Sequence, residues 1–174
     1  MVREILLLGN PVLRQKCERV KNFSDPTLGR IVRDLRDTLA GFRTTHGFGR
    51  GIAAPQIGVT RAIIFINIDE PIALINPEIT GRSRQMMTLW DDCFSFPELM
   101  VRVRRHATVR VQFRDNRGKK QTLVAGGGLS ELLQHEVDHT NGILAVDRAI
   151  DSHHIILRSE WLKLAHDSNP GFQF

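Results

Sequence analysis

Between positions 26 and 42 the apolar residues recur at helical spacing. Leu28, Ile31, Val32, Leu35, Leu39 and Phe42 fall on one face of a 3.6-residue repeat. The pattern predicts an amphipathic helix over residues 26–42, with proline in its first turn and Ser24 or Asp25 as its cap. Beyond the glycine-rich stretch at 47–51 the pattern changes. Residues 61–68 and 72–75 are predicted as strands, separated by Asp69-Glu70-Pro71. Val101, Val103, Val109, Val111 and Phe113 alternate with Arg102, Arg104 and Arg110, the mark of a strand with one wet face. Strands over 108–113 and 121–124 flank Asp115-Asn116-Arg117-Gly118, a hairpin turn signal. After Gly126-Gly127-Gly128 the helical period returns, and Leu129, Leu132, Leu133, Glu136 and His139 share a face. A last helix is predicted over 151–166, with Pro170 and Gly171 marking its end. Strands in the middle and helices at both ends predict an α+β fold.

Composition narrows the class. The 174 residues suit a single domain spanning 1–174. Apolar residues at 41% and charged residues at 25% exclude a disordered or fibrous chain. Two cysteines, Cys17 and Cys93, allow at most one bridge, which excludes a disulfide-stapled secreted module. The longest apolar run near the N-terminus, Ile5 to Leu8, is too short for a signal-peptide core or a membrane span. A soluble cytoplasmic protein with no membrane partner is therefore expected. The formal net charge is +5, densest around Arg102, Arg104, Arg105, His106 and Arg110. Its alternation with valine reads as a solvated strand face. No zinc-finger or aromatic RNA-binding motif accompanies it, so no specific nucleic-acid partner is expected.

The chemistry concentrates in His135-Glu136-Val137-Asp138-His139. Residues four apart lie on one helical face, so both imidazoles can hold one cation while Glu136 reaches water beside it. A catalytic site of this type takes three protein ligands. The extension H-E-x-x-H-x-x-G-x-x-H fits at Gly142 but fails at Ala145, which cannot bind a metal. Two residues remain for the third position. One is Glu160, downstream, as in another class of metallopeptidase. The other is Cys93, upstream, whose thiolate suits Zn²⁺ or Fe²⁺.

Three segments in order carry a resemblance. Gly49-Arg50-Gly51-Ile52-Ala53-Ala54-Pro55-Gln56, Asp91-Asp92-Cys93-Phe94-Ser95 and Gln134-His135-Glu136-Val137-Asp138-His139 resemble the G-x-G-x-A-A-x-Q, E-G-C-x-S and Q-H-E-x-D-H motifs of peptide deformylases. Pro11-Val12-Leu13-Arg14, Asn141-Gly142 and Val146-Asp147-Arg148 extend it over nearly the whole chain. The resemblance implies mixed, mostly antiparallel β-sheets around a central metal-binding helix, with N-terminal and C-terminal helices. It implies a metal-dependent hydrolase that removes the N-formyl group from formyl-methionyl peptides or a related N-formyl substrate and releases formate. The partner would be an N-formylated peptide or nascent chain. By the same resemblance Cys93, His135 and His139 would hold one divalent ion, Fe²⁺ or Zn²⁺, with Ni²⁺ or Co²⁺ as alternatives. Glu136 would take the proton of the attacking water. The Gln56 side-chain amide and the Phe94 N–H would face the developing oxyanion, and Gly51 would let the loop approach the substrate.

The chain departs from the motifs at Arg50, Asp91, Asp92 and Phe94, and Met100 stands where many members carry arginine. Arg50, Asp92 and Met100 are expected at the substrate. Asp91 is expected to pair with Arg105 and so steady the ligand set. A thiolate ligand calls for a reducing compartment, in keeping with cytoplasm. Some members dock on the ribosome through a basic C-terminal helix. Here Arg158 and Lys163 are offset by Asp151 and Glu160, which leaves at most a weak association. Two other readings stay open: an H-E-x-x-H metallopeptidase with Glu160 as third ligand, and a ribosome- or RNA-associated homologue without activity.

Overall fold

The computed structural model describes residues 1–166. Helix α1 spans Pro26–His46. Asp25 caps it by accepting from the Thr27 N–H at 2.8 Å, and Gly47 closes it in the left-handed region at φ 76°. The helix runs one turn past the expected end at Phe42, because the Phe42 ring stacks on His46 with centroids 4.1 Å apart. Five strands form the larger sheet: β1 (Gly51–Ala53), β2 (Ile63–Asn67), β3 (Pro71–Arg82), β6 (Thr108–Arg114) and β7 (Lys120–Gly126), in the order β1-β2-β3-β6-β7. Three more form the smaller sheet: β4 (Met86–Asp91), β5 (Leu99–His106) and β8 (Ile155–Leu157), in the order β4-β5-β8. Every ladder between these strands is antiparallel.

The larger sheet is covered on both faces, which explains why β2 reads as an unbroken apolar run. Ile63 and Phe65 point to Leu28, Ile31, Leu35 and Leu39 of α1. Ile64 and Ile66, between them, point to Leu132, Leu133 and Val137 of helix α2 (Gly127–Thr140). Leu13, Cys93, Phe96, Val101, Val103 and Leu144 make a third cluster beside the smaller sheet. Helix α2 is thus central, and ten of its fourteen residues are buried. Gln134 ties it to β5: its amide accepts from the His106 N–H at 3.0 Å and donates to the His106 carbonyl at 2.9 Å. The α+β architecture with mostly antiparallel sheets around a central helix agrees with the sequence reading.

Several boundaries differ. The run from 101 to 113 is two strands in different sheets, not one wet-faced strand. Arg105 is accordingly buried, 3% exposed, rather than solvated. The strand expected at 72–75 continues to Arg82 through a bulge. The last helix, α3, begins only at Arg158 and runs to His166. Before it, Asp151 caps a short 3₁₀ turn and Ile155–Leu157 pairs with β5. Hydrogen bonding to a waiting sheet edge outweighs the helical spacing that the sequence offers there. Pro170 and Gly171 lie outside the described residues. Among the described residues no helix is long and apolar enough to cross a membrane.

Candidate metal centre

Three elements deliver the site. Helix α2 carries His135, Glu136 and His139. The turn after β4 carries Cys93. A 3₁₀ turn after β1, Ala54–Ile57, carries Gln56. The donor atoms converge: Cys93 Sγ lies 3.3 Å from His139 Nε2, which lies 3.1 Å from His135 Nε2. Ligand atoms around a tetrahedral zinc-sized ion stand about 3.3–3.6 Å apart. The spacing therefore suits a cation between the three, and one thiolate with two imidazoles is a donor set for Zn²⁺, Fe²⁺, Ni²⁺ or Co²⁺. All three residues are buried.

Asp91 connects this set to the interior. Its Oδ1 lies 2.9 Å from His135 Nδ1, a contact of ion-pair length though poorly angled for a hydrogen bond. Its Oδ2 accepts from Arg105 Nη2 at 2.9 Å, so the expected Asp91–Arg105 pair is present. Arg105 Nη1 donates to Asp138 at 2.5 Å, and Arg148 pairs with the other Asp138 oxygen at 2.8 Å. Burial opposes the Asp91 charge, but His135 and Arg105 outweigh it and hold the carboxyl well below its usual range. Burial likewise opposes a charged His135, and Asp91 outweighs it, so this ring's pKa is raised. His139 is paired with no carboxylate among the described residues, and burial with the neighbouring His135 outweighs the Asp91 charge and lowers its pKa.

Glu136 is 3% exposed, and its Oε2 has no hydrogen-bond partner among the described residues. Burial pushes its carboxyl up to about 7. Gly51 makes room for it. A Cβ on Gly51 would stand 2.7 Å from Glu136 Oε1 and 3.1 Å from Cδ and Cγ. The glycine thus accommodates the carboxylate, whereas the sequence reading had it accommodate the substrate. Gln56 is fixed at both ends: its Oε1 accepts from the Ala53 N–H at 2.9 Å, and its Nε2 lies 3.3 Å from Ser95 Oγ and 3.5 Å from Cys93 Sγ. The Phe94 ring stacks on Phe42 with centroids 3.8 Å apart and meets Phe48 edge-on.

Cys93, His135, Glu136, Gln56 and Phe94 share a cavity of about 330 Å³ with Gly51, Arg50 and Asp92. Arg50 pairs with Glu131 at 2.5 Å, and Asp92 accepts from Arg158 at 2.8 Å. Met100 is instead buried on β5 opposite Ile156 and does not line this cavity. Glu160 is remote from the triad: it sits exposed on α3 and pairs with Lys163 at 2.6 Å. The metallopeptidase reading loses its third ligand on this ground. Glu131 and Arg43 also line the cavity and Ser95 holds the Gln56 amide, and the sequence reading gave none of the three a role. Glu131 carried a signal, because it lies one helical turn before His135 on the same face of α2.

The family model described as polypeptide deformylase matches residues 2–154. The peptide deformylase of Prochlorococcus marinus (strain MIT 9312) is 36% identical over 151 residues, which is 83% of this chain and 72% of that relative. The crystal structure of a peptide deformylase from Synechococcus elongatus in complex with actinonin superposes with a TM-score of 0.81 at 35% identity, over 87% of this chain and 81% of that one. That of a peptide deformylase from Legionella pneumophila gives a TM-score of 0.81 at 32% identity, over 97% of this chain and 100% of that one.

Proposed function

The chain belongs to the polypeptide deformylase family, and on that premise we propose that it hydrolyses the formamide of N-formylated peptides, nascent chains included, and releases formate. It is an enzyme of the deformylase type. Cys93, His135 and His139 are the residues that would hold a divalent ion. When bound, that ion supplies positive charge that polarises the formyl carbonyl and acidifies water. Glu136 Oε2 accepts a proton from the attacking water as the new C–O bond forms. It then delivers that proton to the amine as the C–N bond breaks. Burial favours the protonated carboxyl, which suits a group that takes up a proton and hands it on. The Gln56 amide, held by Ala53 and Ser95, aims its N–H₂ beside the thiolate, where the carbonyl oxygen gains charge. The Phe94 N–H is the second donor. Asp91 and Arg105 hold His135 in place from behind. A thiolate ligand resists oxidation best in a reducing compartment, which supports a cytoplasmic enzyme.

The observation that carries this reading is the unpartnered, buried Glu136 oxygen beside three converging metal donors. Formate release from formyl-Met-Ala-Ser by protein loaded anaerobically with Fe²⁺, with metal content measured in parallel, tests it. Cys93→Ala is expected to lose both metal and formate release, and Glu160→Ala neither. Retained metal in Cys93→Ala, or no hydrolysis by the loaded wild type, overturns it.

A further inference from the structure

The cavity beside the metal centre is charged where the substrate must lie. Arg50, on the glycine loop, reaches across to α2. Its Nη1 donates to the Gly128 carbonyl at 3.1 Å and its Nη2 to Glu131 Oε2 at 2.5 Å. The pair joins the residue just before Gly51 of β1 to the turn of α2 just before His135, and both members line the cavity. Glu131 is nearly buried, with its side chain 7% exposed, while that of Arg50 is 46% exposed. Burial raises the Glu131 pKa and the Asp91 charge adds to it, with Arg50 opposing both. Glu131 Oε1 has no hydrogen bond among the described residues, and Arg50 keeps free donors. The pair therefore offers an acceptor and donors to whatever occupies the cavity.

We propose that Arg50 and Glu131 determine specificity, selecting N-formyl compounds whose group next to the formamide is polar over those with an apolar side chain there. The inference rests on the deformylase reading and deepens it. A substrate with its formyl carbon at Cys93, His135 and His139 must place its adjoining group in the rest of this cavity. An apolar group there strips water from Arg50 and Glu131 and returns no hydrogen bond. A carboxamide of similar size donates to Glu131 and accepts from Arg50. Sites with buried polar groups discriminate strongly against analogues that leave those groups unpaired.

Glutamine and methionine side chains are close in length and differ in polarity, so formyl-Gln-Ala-Ser and formyl-Met-Ala-Ser are the probes. The wild type, metal-loaded, is expected to show a kcat/KM for the glutamine peptide about tenfold or more above that for the methionine peptide. The double variant R50I/E131L removes the ion pair whole and is expected to reverse that ratio. A merely structural strut would lower both rates together and leave the ratio unchanged. An equal ratio in the two proteins, or a wild type that prefers methionine, overturns the inference and leaves the deformylase reading intact. A metal-loaded wild type that releases formate from neither peptide overturns both. A wild type that prefers methionine overturns the inference even where the double variant does not fold.

Discussion

Replacing Gly51 by alanine isolates one requirement of the site. Gly51 lies in β1, paired with Ile66, in extended backbone that any residue adopts, so the cost of a side chain there is one of space. The new Cβ would meet Glu136 Oε1 at 2.7 Å, and ordinary contact begins at 3.4 Å. The carboxylate must retreat by about 0.7 Å, and the 3.1 Å contacts to Cγ and Cδ force the whole side chain to move. A misplacement of about 1 Å costs on the order of a hundredfold in rate. The expected loss is therefore about tenfold to fiftyfold in kcat, or about 1.4–2.3 kcal/mol of barrier. The metal donors are not touched, so metal content should remain at the wild-type level. Overpacking should lower stability by about 1 kcal/mol. Steady-state formate release, metal analysis and urea unfolding read the three quantities. A Gly51→Ala protein within about twofold of wild-type kcat, or one that has lost its metal, would refute the argument that Gly51 serves the position of Glu136.

Arg105→Ala strips the buried Asp91 carboxylate of its guanidinium partner, while Asp138 keeps Arg148, and should cost about 3–5 kcal/mol in urea unfolding; a cost below about 1 kcal/mol counts against the network. The Asp91 carboxyl is held below its ordinary value. Its stabilisation is thus present above the unfolded pKa of 3.8 and lost as the pH falls through about 2. Arg105→Ala should therefore move the acid unfolding midpoint upward, and an unmoved midpoint would contradict the assignment. Cys17 is buried and its thiol is pushed up to about 11. In a Cys93→Ala background, a thiol reagent at pH 8 should label nothing until the protein unfolds, and rapid native labelling would be the contrary result. Phe94→Leu gives up the stacked contact with Phe42 and should lower stability by about 1 kcal/mol in urea, with no change in metal content.

Some of this was legible in the chain alone, and for identifiable reasons. The two histidines and Glu136 follow from i, i+4 spacing on a helix, a rule that burial does not alter, whereas Cys93 was singled out from Glu160 only by the motif resemblance. The burial of Arg105 was misread, although the pattern carried a signal for it. A period of two places it on the face of Val101 and Val103, and only its charge argued for solvent. What compensates that charge, Asp91 on β4 and Asp138 on α2, comes from segments far apart in sequence. The start of α3 was not legible, because Ile155 and Ile156 fit helix and strand alike. The open edge of β5 decides between them. The role of Gly51 depends on a contact with α2 that no local pattern announces. Glu131 could be placed beside His135 by spacing, but its partner Arg50 lies 81 residues away and is met only in the folded chain.

The most direct test of the central claim is formate released per bound metal ion by the wild type and by Glu136→Gln. Glutamine keeps the shape of the buried side chain and cannot accept the proton. The account predicts full metal content in both proteins and formate release from N-formyl peptides by the wild type, with a loss of about a hundredfold or more in the variant. Equal formate release by the two, at equal metal content, would contradict it.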